Sequence, residues 1–141
     1  CDICEMEGLS LPPFSSGTQK RIEELLPPLA IRTNPVDMGP AWYDSEAIKG
    51  IVQAVLEDKN IDAIIICIMF ASANRASVGI LSDLLLKKKR DKPVICCLSA
   101  PAGIWDAEIK LFEESGIPNY PTPERAAKAL VDLVRHKKIK R

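Results

Sequence analysis

From Asp44 onward the apolar residues fall into a regular pattern. Ile48, Ile51, Val52, Val55 and Leu56 follow the i, i+3, i+4, i+7, i+8 spacing of one buried helix face, and Asp44 stands where a short polar side chain caps such a helix. The run from Asp62 to Phe70 is apolar without alternation, which predicts a strand covered on both faces and hence a parallel sheet. A helix from about Asn74 to Lys89 puts Val78, Leu81, Leu84 and Leu85 on one side. Its closing Lys87, Lys88, Lys89 and Arg90 suit the negative end of a helix dipole and read as a solvated turn, not a nucleic-acid patch. Pro93 to Ser99 is a second apolar strand. Trp105, Ile109 and Phe112 then mark a helix that stops at Gly116, and Ile117 to Tyr120 makes a short last strand. Thr122 as cap and Pro123 at the first helical position open a final helix with Ala127, Leu130, Val131 and Val134 inward.

The first third of the chain is less regular. Ile3, Cys4 and Met6 among acidic residues, closed by Gly8, read as the end of a helix, and a helix without a beginning suggests an N-terminally truncated chain. Leu9 to Leu11 leaves room for a short edge strand before Pro12 and Pro13 remove the ladder donors. Ser16 to Gln19 has the form of a capping box, followed by Ile22, Leu25 and Leu26 on one face and a stop at Pro27 and Pro28. Leu29 to Trp42 has no period and is expected to be an ordered loop.

Helices alternating with buried strands require right-handed crossovers and helices on both faces of the sheet. The expected fold is therefore α/β, a single three-layer flavodoxin-like or Rossmann-like domain with a parallel sheet, spanning residues 1–141. In such sheets ligands gather at the carboxyl ends of the strands, so the loops after Phe70 and Ser99 and the irregular loop around Asn34 are the informative ones.

Composition narrows the function mainly by exclusion. The chain has 141 residues, 47% of them hydrophobic, and its 19 basic and 19 acidic side chains cancel, so charge gives no pull toward nucleic acid or a membrane surface. No apolar stretch is long enough for a membrane span, and residues 1–7 lack the pattern of a signal peptide, which reads as cytoplasmic. Of the five cysteines, Cys67, Cys96 and Cys97 sit in apolar strands and are expected to be reduced core thiols. Cys1 and Cys4 form a C-x-x-C, but further Cys or His ligands at zinc spacing are missing.

Catalytic chemistry is scarce. The single histidine, His136, lies near the end of the last helix with no carboxylate or serine beside it in sequence to orient it as a base. Neither G-x-G-x-x-G nor G-x-x-x-x-G-K-[ST] occurs, so a complete phosphate loop is missing. Asn34-Pro35-Val36-Asp37 sets two short polar side chains around a rigid proline, suited to binding loop backbone or to forming a simple turn. Ala71-Ser72-Ala73-Asn74 and Ser99-Ala100-Pro101-Ala102-Gly103 each lead toward a helix N-terminus, where free N–H groups favour an anion.

Taken in order, several segments resemble the succinyl-CoA synthetase-like domain of nucleoside-diphosphate-forming acyl-CoA synthetases, which include the archaeal ADP-forming acetyl-CoA synthetases. The matching pieces are Asn34-Pro-Val-Asp37, Val55-Leu-Glu-Asp58 ahead of Ile61-Asp-Ala-Ile-Ile65, Lys92-Pro-Val94, Phe112-Glu-Glu-Ser-Gly-Ile-Pro118 and Thr122-Pro-Glu-Arg-Ala126. The chain is also similar, more distantly, to the carboxyl-terminal domain of the succinyl-CoA synthetase β-subunit. The resemblance implies an enzyme that interconverts acyl-CoA, ADP and phosphate with acid, ATP and CoA through a phosphohistidine carried on another domain. It implies CoA, ATP or ADP and magnesium for the whole enzyme but none held by this domain alone. The implied partners are CoA-binding, phosphohistidine and ATP-grasp domains, in the same chain or a partner subunit.

Asn34, Pro35, Asp37, Ser72, Asn74 and Ser99 would face the shared site as positioning residues, with no catalytic residue and no metal ligand among them. The resemblance further implies that the domain's first strand precedes this chain. In a 2-1-3-4-5 order that strand would lie between Leu9–Leu11 and Asp62–Phe70, and its absence would leave the backbone of Ala63 to Ile68 open to pairing with another copy. Two rival readings keep the fold: a ligand-sensing domain fused to a protein acetyltransferase, and a stand-alone flavodoxin-like binding module.

Overall fold

The computed structural model describes residues 2–87 and 91–139. Cys1, Lys88, Lys89 and Arg90 therefore lie outside the described residues, and with them half of the C-x-x-C and most of the basic run. The elements in chain order are α1 (Asp2–Met6), α2 (Ser16–Leu25), a 3-10 turn (Gly39–Tyr43), α3 (Ser45–Glu57), β1 (Ile64–Met69), a second 3-10 turn (Ser72–Asn74), α4 (Ser77–Lys87), β2 (Val94–Ser99), α5 (Asp106–Glu114) and α6 (Pro123–Ile139). β1 and β2 pair in parallel, with Ile64 opposite Val94 and Met69 opposite Ser99. Helices lie on both faces of this pair, as the α/β reading requires.

The starts of α2, α3 and α6 each trace to a named cap. Asp44 Oδ1 accepts hydrogen bonds from the backbone of Glu46 at 2.8 Å and Ala47 at 3.3 Å, fixing the first turn of α3. Thr122 Oγ1 accepts from Arg125 N at the start of α6. In α2 the cap is Ser15, not Ser16, and Gln19 bonds Glu23 instead of closing a capping box. The helix starts a residue earlier than expected because Ser15 is anchored from outside, its N–H donating to Asp58 Oδ2 at 2.9 Å. At the other end of α5, Gly116 takes φ +77°, which lets Ile117 N reach back to Phe112 O at 2.8 Å and ends the helix.

One side of the sheet carries most of the core. Ile66 and Ile68 of β1 and Cys96 and Leu98 of β2 pack with Ile22, Ile48, Ile51, Val78, Leu81, Leu85, Trp105 and Phe112 from α2–α5 and the turn before α5. The opposite side holds a small cluster in which Ala126 and Leu130 of α6 cover Ile95 and Cys97, with Leu9, Ala63 and Ile65 at its margin. β2 is accordingly buried from Val94 to Leu98, but β1 is not covered on both faces as its composition predicts. Cys67 and Met69 are exposed, because α6 lies over β2 and reaches only the start of β1.

Three other sequence expectations are revised. Leu9 to Leu11 forms no strand: Leu9 N turns back to Cys4 O after the left-handed Gly8, and Pro12 and Pro13 have no N–H to extend a ladder. Ile117 to Tyr120 contributes only a bridge between Cys96 and Asn119, since Asn119 gives its side-chain Oδ1, not its backbone, to Leu98 N. The helix expected from Asn74 begins at Ser77, because the Asn74 side chain closes a separate 3-10 turn first.

Candidate functional site

The region singled out by the sequence is the carboxyl end of the two parallel strands. Ser99 ends β2 and its carbonyl accepts from Phe70 N at 2.8 Å, so the two exit loops leave the sheet side by side. Ser72 and Asn74 follow directly on the β1 exit. Asn74 is buried, and both ends of its amide bond backbone: Oδ1 accepts from Ala71 N and Nδ2 donates to Met69 O, each at 2.9 Å. That clasp sets the direction in which the chain leaves β1. Ser72 and Ser99 are left exposed on the rim.

The floor beneath the rim comes from residues that sequence reasoning used only as core. Trp105, 1% exposed, donates its indole N–H to Arg75 O at 3.0 Å and meets Phe70 edge to face with ring centroids 5.5 Å apart. It thereby ties the β2 exit loop to the β1 exit loop. Ser77 Oγ donates to Trp42 O at 2.6 Å, bringing the Gly39–Tyr43 turn against the Ser72–Asn74 turn. An aromatic residue before a helix is a weak sequence signal, and the target of a serine hydroxyl is none at all.

Asn34, Pro35 and Asp37 lie in the loop between α2 and the Gly39–Tyr43 turn. The Asn34–Pro35 peptide is cis. Asn34 Nδ2 donates to Pro12 O at 3.0 Å and the exposed Asp37 accepts from Gly39 N at 3.0 Å. Asn34 thus fastens the loop to the segment before α2, and Asp37 makes a local turn. Among the described residues no hydrogen bond joins either to Ser72, Asn74 or Ser99.

The two helix starts differ in what they could bind. At α5 the chain supplies its own anions: Asp106 Oδ2 accepts from Gly103 N at 2.9 Å and Glu108 follows in the first turn. An external phosphate is opposed there. Ahead of α4, Ser72 and Arg75 are exposed and no acidic residue lies in the first turn, so that end of the site is the more favourable to an anion. Among the described residues no group of three or more His, Cys, Asp or Glu could hold a metal ion. Cys4, Cys67, Cys96 and Cys97 form no disulfide. Cys67, expected to be buried, is exposed. No helix of the described residues is long and apolar enough to cross a membrane.

No protein-family model matches the chain. Among curated proteins it is similar to acetate–CoA ligase [ADP-forming] I of Archaeoglobus fulgidus, with 30% identity over 98% of this chain and 19% of the relative. It is equally similar, at 30% identity, to the α subunit of acetate–CoA ligase [ADP-forming] II of Pyrococcus furiosus, over 97% of this chain and 30% of that subunit. The chain thus spans between a fifth and a third of the length of these curated relatives. A solved structure of the apo dinucleotide-forming acetyl-coenzyme A synthetase 1 of Ca. Korarchaeum cryptofilum superposes with a TM-score of 0.81 at 20% identity, over 97% of this chain and 30% of that one. That likeness establishes the fold.

Proposed function

We propose that this chain, whose curated relatives are ADP-forming acetate–CoA ligases over nearly its whole length, is a positioning domain of a nucleoside-diphosphate-forming acid–CoA ligase. The observation that carries the reading is this end-to-end similarity of the chain to one segment of much longer ligases. The chemistry of the strand-end rim agrees with a supporting part: it offers Ser72, Ser99 and Arg75, and among the described residues no nucleophile is poised there beside a base. In the complete enzyme an acyl phosphate and CoA would give acyl-CoA, with a phosphohistidine elsewhere carrying phosphate to or from ADP, and ATP entering with magnesium. CoA-binding and ATP-grasp domains would supply those sites, in the cytoplasm where CoA and adenine nucleotides are held.

In this reading Asn34, Pro35 and Asp37 shape the approach loop, while Asn74 sets the rim on which Ser72 and Ser99 face the neighbouring domains. The test is a coupled assay of ADP and acyl-CoA release from acid, ATP and CoA. The natural protein containing this segment should turn over, and a Ser72→Ala/Ser99→Ala double variant should lose rate without losing stability. The isolated 141-residue chain should show no turnover. Steady turnover by the isolated chain would overturn the positioning role, and a natural protein that forms no acyl-CoA would overturn the ligase reading.

A further inference from the structure

Outside the strand-end region, the sheet carries a pair of thiols to which no part of the ligase reading assigns a role. Cys67 and Cys97 are direct partners in the parallel register of β1 and β2, and therefore project from the same face of the sheet. Neighbouring strands run about 4.8 Å apart, so register partners on one face set their side chains next to each other. Cys67 is exposed while Cys97 is buried under the margin of α6. Cys96, next in sequence, projects from the other face into the main core and cannot join them.

We propose that Cys67 and Cys97 form a dithiol site for a thiophilic trivalent ligand, of which a monosubstituted arsenical is the defined example, bridging both sulfurs across neighbouring strands. A borderline divalent cation such as zinc suits the pair poorly. It would need thiolates and further ligands, and no cluster of three or more His, Cys, Asp or Glu able to hold a metal exists among the described residues. Desolvation, with Cys97 beside it, pushes the Cys67 thiol up to about 11, and desolvation likewise raises Cys97, so both are protonated near neutrality. Condensation with an arsenic(III) oxide group uses thiols in that form: two As–S bonds form, the As–O bond breaks, and both thiol protons leave with the oxygen as water. No electron changes hands.

The experiment uses phenylarsine oxide on the chain carrying Cys1→Ser and Cys4→Ser, which removes the other closely spaced pair. Intact mass should show a single retained arsenical, with the Cys67 and Cys97 thiols lost to thiol titration, stable to excess monothiol and released by a 1,2-dithiol. Adding Cys67→Ser, a change at an exposed position that leaves folding intact by circular dichroism, should weaken retention about a hundredfold because the second sulfur no longer acts at high effective concentration. Cys96→Ser should leave retention unchanged. A folded chain that retains no arsenical, or one whose retention survives Cys67→Ser, overturns the proposal.

Discussion

Asp58 shows how one side chain can hold two segments together. Burial alone would raise its carboxyl, but the backbone of Asn60 and the side chains of Thr18 and Ser15, with Ser15 N–H, together hold it below the ordinary carboxylate range. A lowered folded value means stability that is present above the unfolded pKa of about 3.9 and lost as pH falls through the folded value. Asp58→Asn should therefore be less stable than the parent at neutral pH, and the gap in urea midpoint should close progressively below about pH 4. A gap independent of pH would show that the charge contributes nothing. Asn74 makes a separate case, because its amide satisfies both Ala71 N and Met69 O. Asn74→Ala should cost about 1–3 kcal/mol, read as a lower denaturant midpoint at unchanged slope.

Two helical glycines that look alike in sequence should respond unequally to the same change. A Cβ on Gly50 of α3 would stand 2.6 Å from Leu25 Cδ1 and 3.1 Å from the Arg21 guanidinium on α2, so Gly50→Ala must displace those side-chain ends, which offsets its gain in the helix. A Cβ on Gly79 of α4 meets nothing within 4 Å, so Gly79→Ala should add about 0.5–1 kcal/mol through the unfolded chain. A Gly50→Ala variant whose melt rises as far as that of Gly79→Ala would contradict this account of the α2–α3 contact. Elements with a local cause were legible in advance: the α3 cap and face, the Thr122 cap, the Gly116 stop and the parallel pairing all follow from residues near one another. What sequence missed was set at a distance. The Ser15 cap depends on Asp58, the one-sided cover of β1 depends on where α6 lies, and the role of Trp105 depends on the Arg75 carbonyl. The Asn34-Pro-Val-Asp37 motif was recognisable, but its bonding partners were not.

The sheet as a whole is finished on one edge and bare on the other. Beyond β2 the chain from Pro118 to Tyr120 takes up Cys96 and Leu98. Beyond β1, the N–H groups of Ile64 and Phe70 turn toward the β2 side, so Ile65 and Cys67 direct their backbone outward, and among the described residues no backbone bond meets them. The strand Ile64–Met69 contains no charge to discourage pairing, and Met69 is 79% exposed. The 141-residue chain should accordingly self-associate as concentration rises, and Met69→Lys should suppress it. Light scattering that finds the unmodified chain monomeric throughout, with an unchanged melt, would reject this.

The unequal filling of the two sides of the sheet also ranks the parts of the molecule by how easily they open. α6 rests through its Ala126 and Leu130 on Ile95 and Cys97, with α1 against it, while the other side keeps Trp105, Phe112 and the isoleucines of α2 and α3 sealed. The thin layer can lift off as a unit while the larger core stays closed, at a fraction of the roughly 5–15 kcal/mol of global unfolding. Amide protons in α1 and α6 would then exchange with solvent well ahead of those in α3 and α4. Each such opening would uncover Cys97, making the access of its thiol a clock for the breathing of that face.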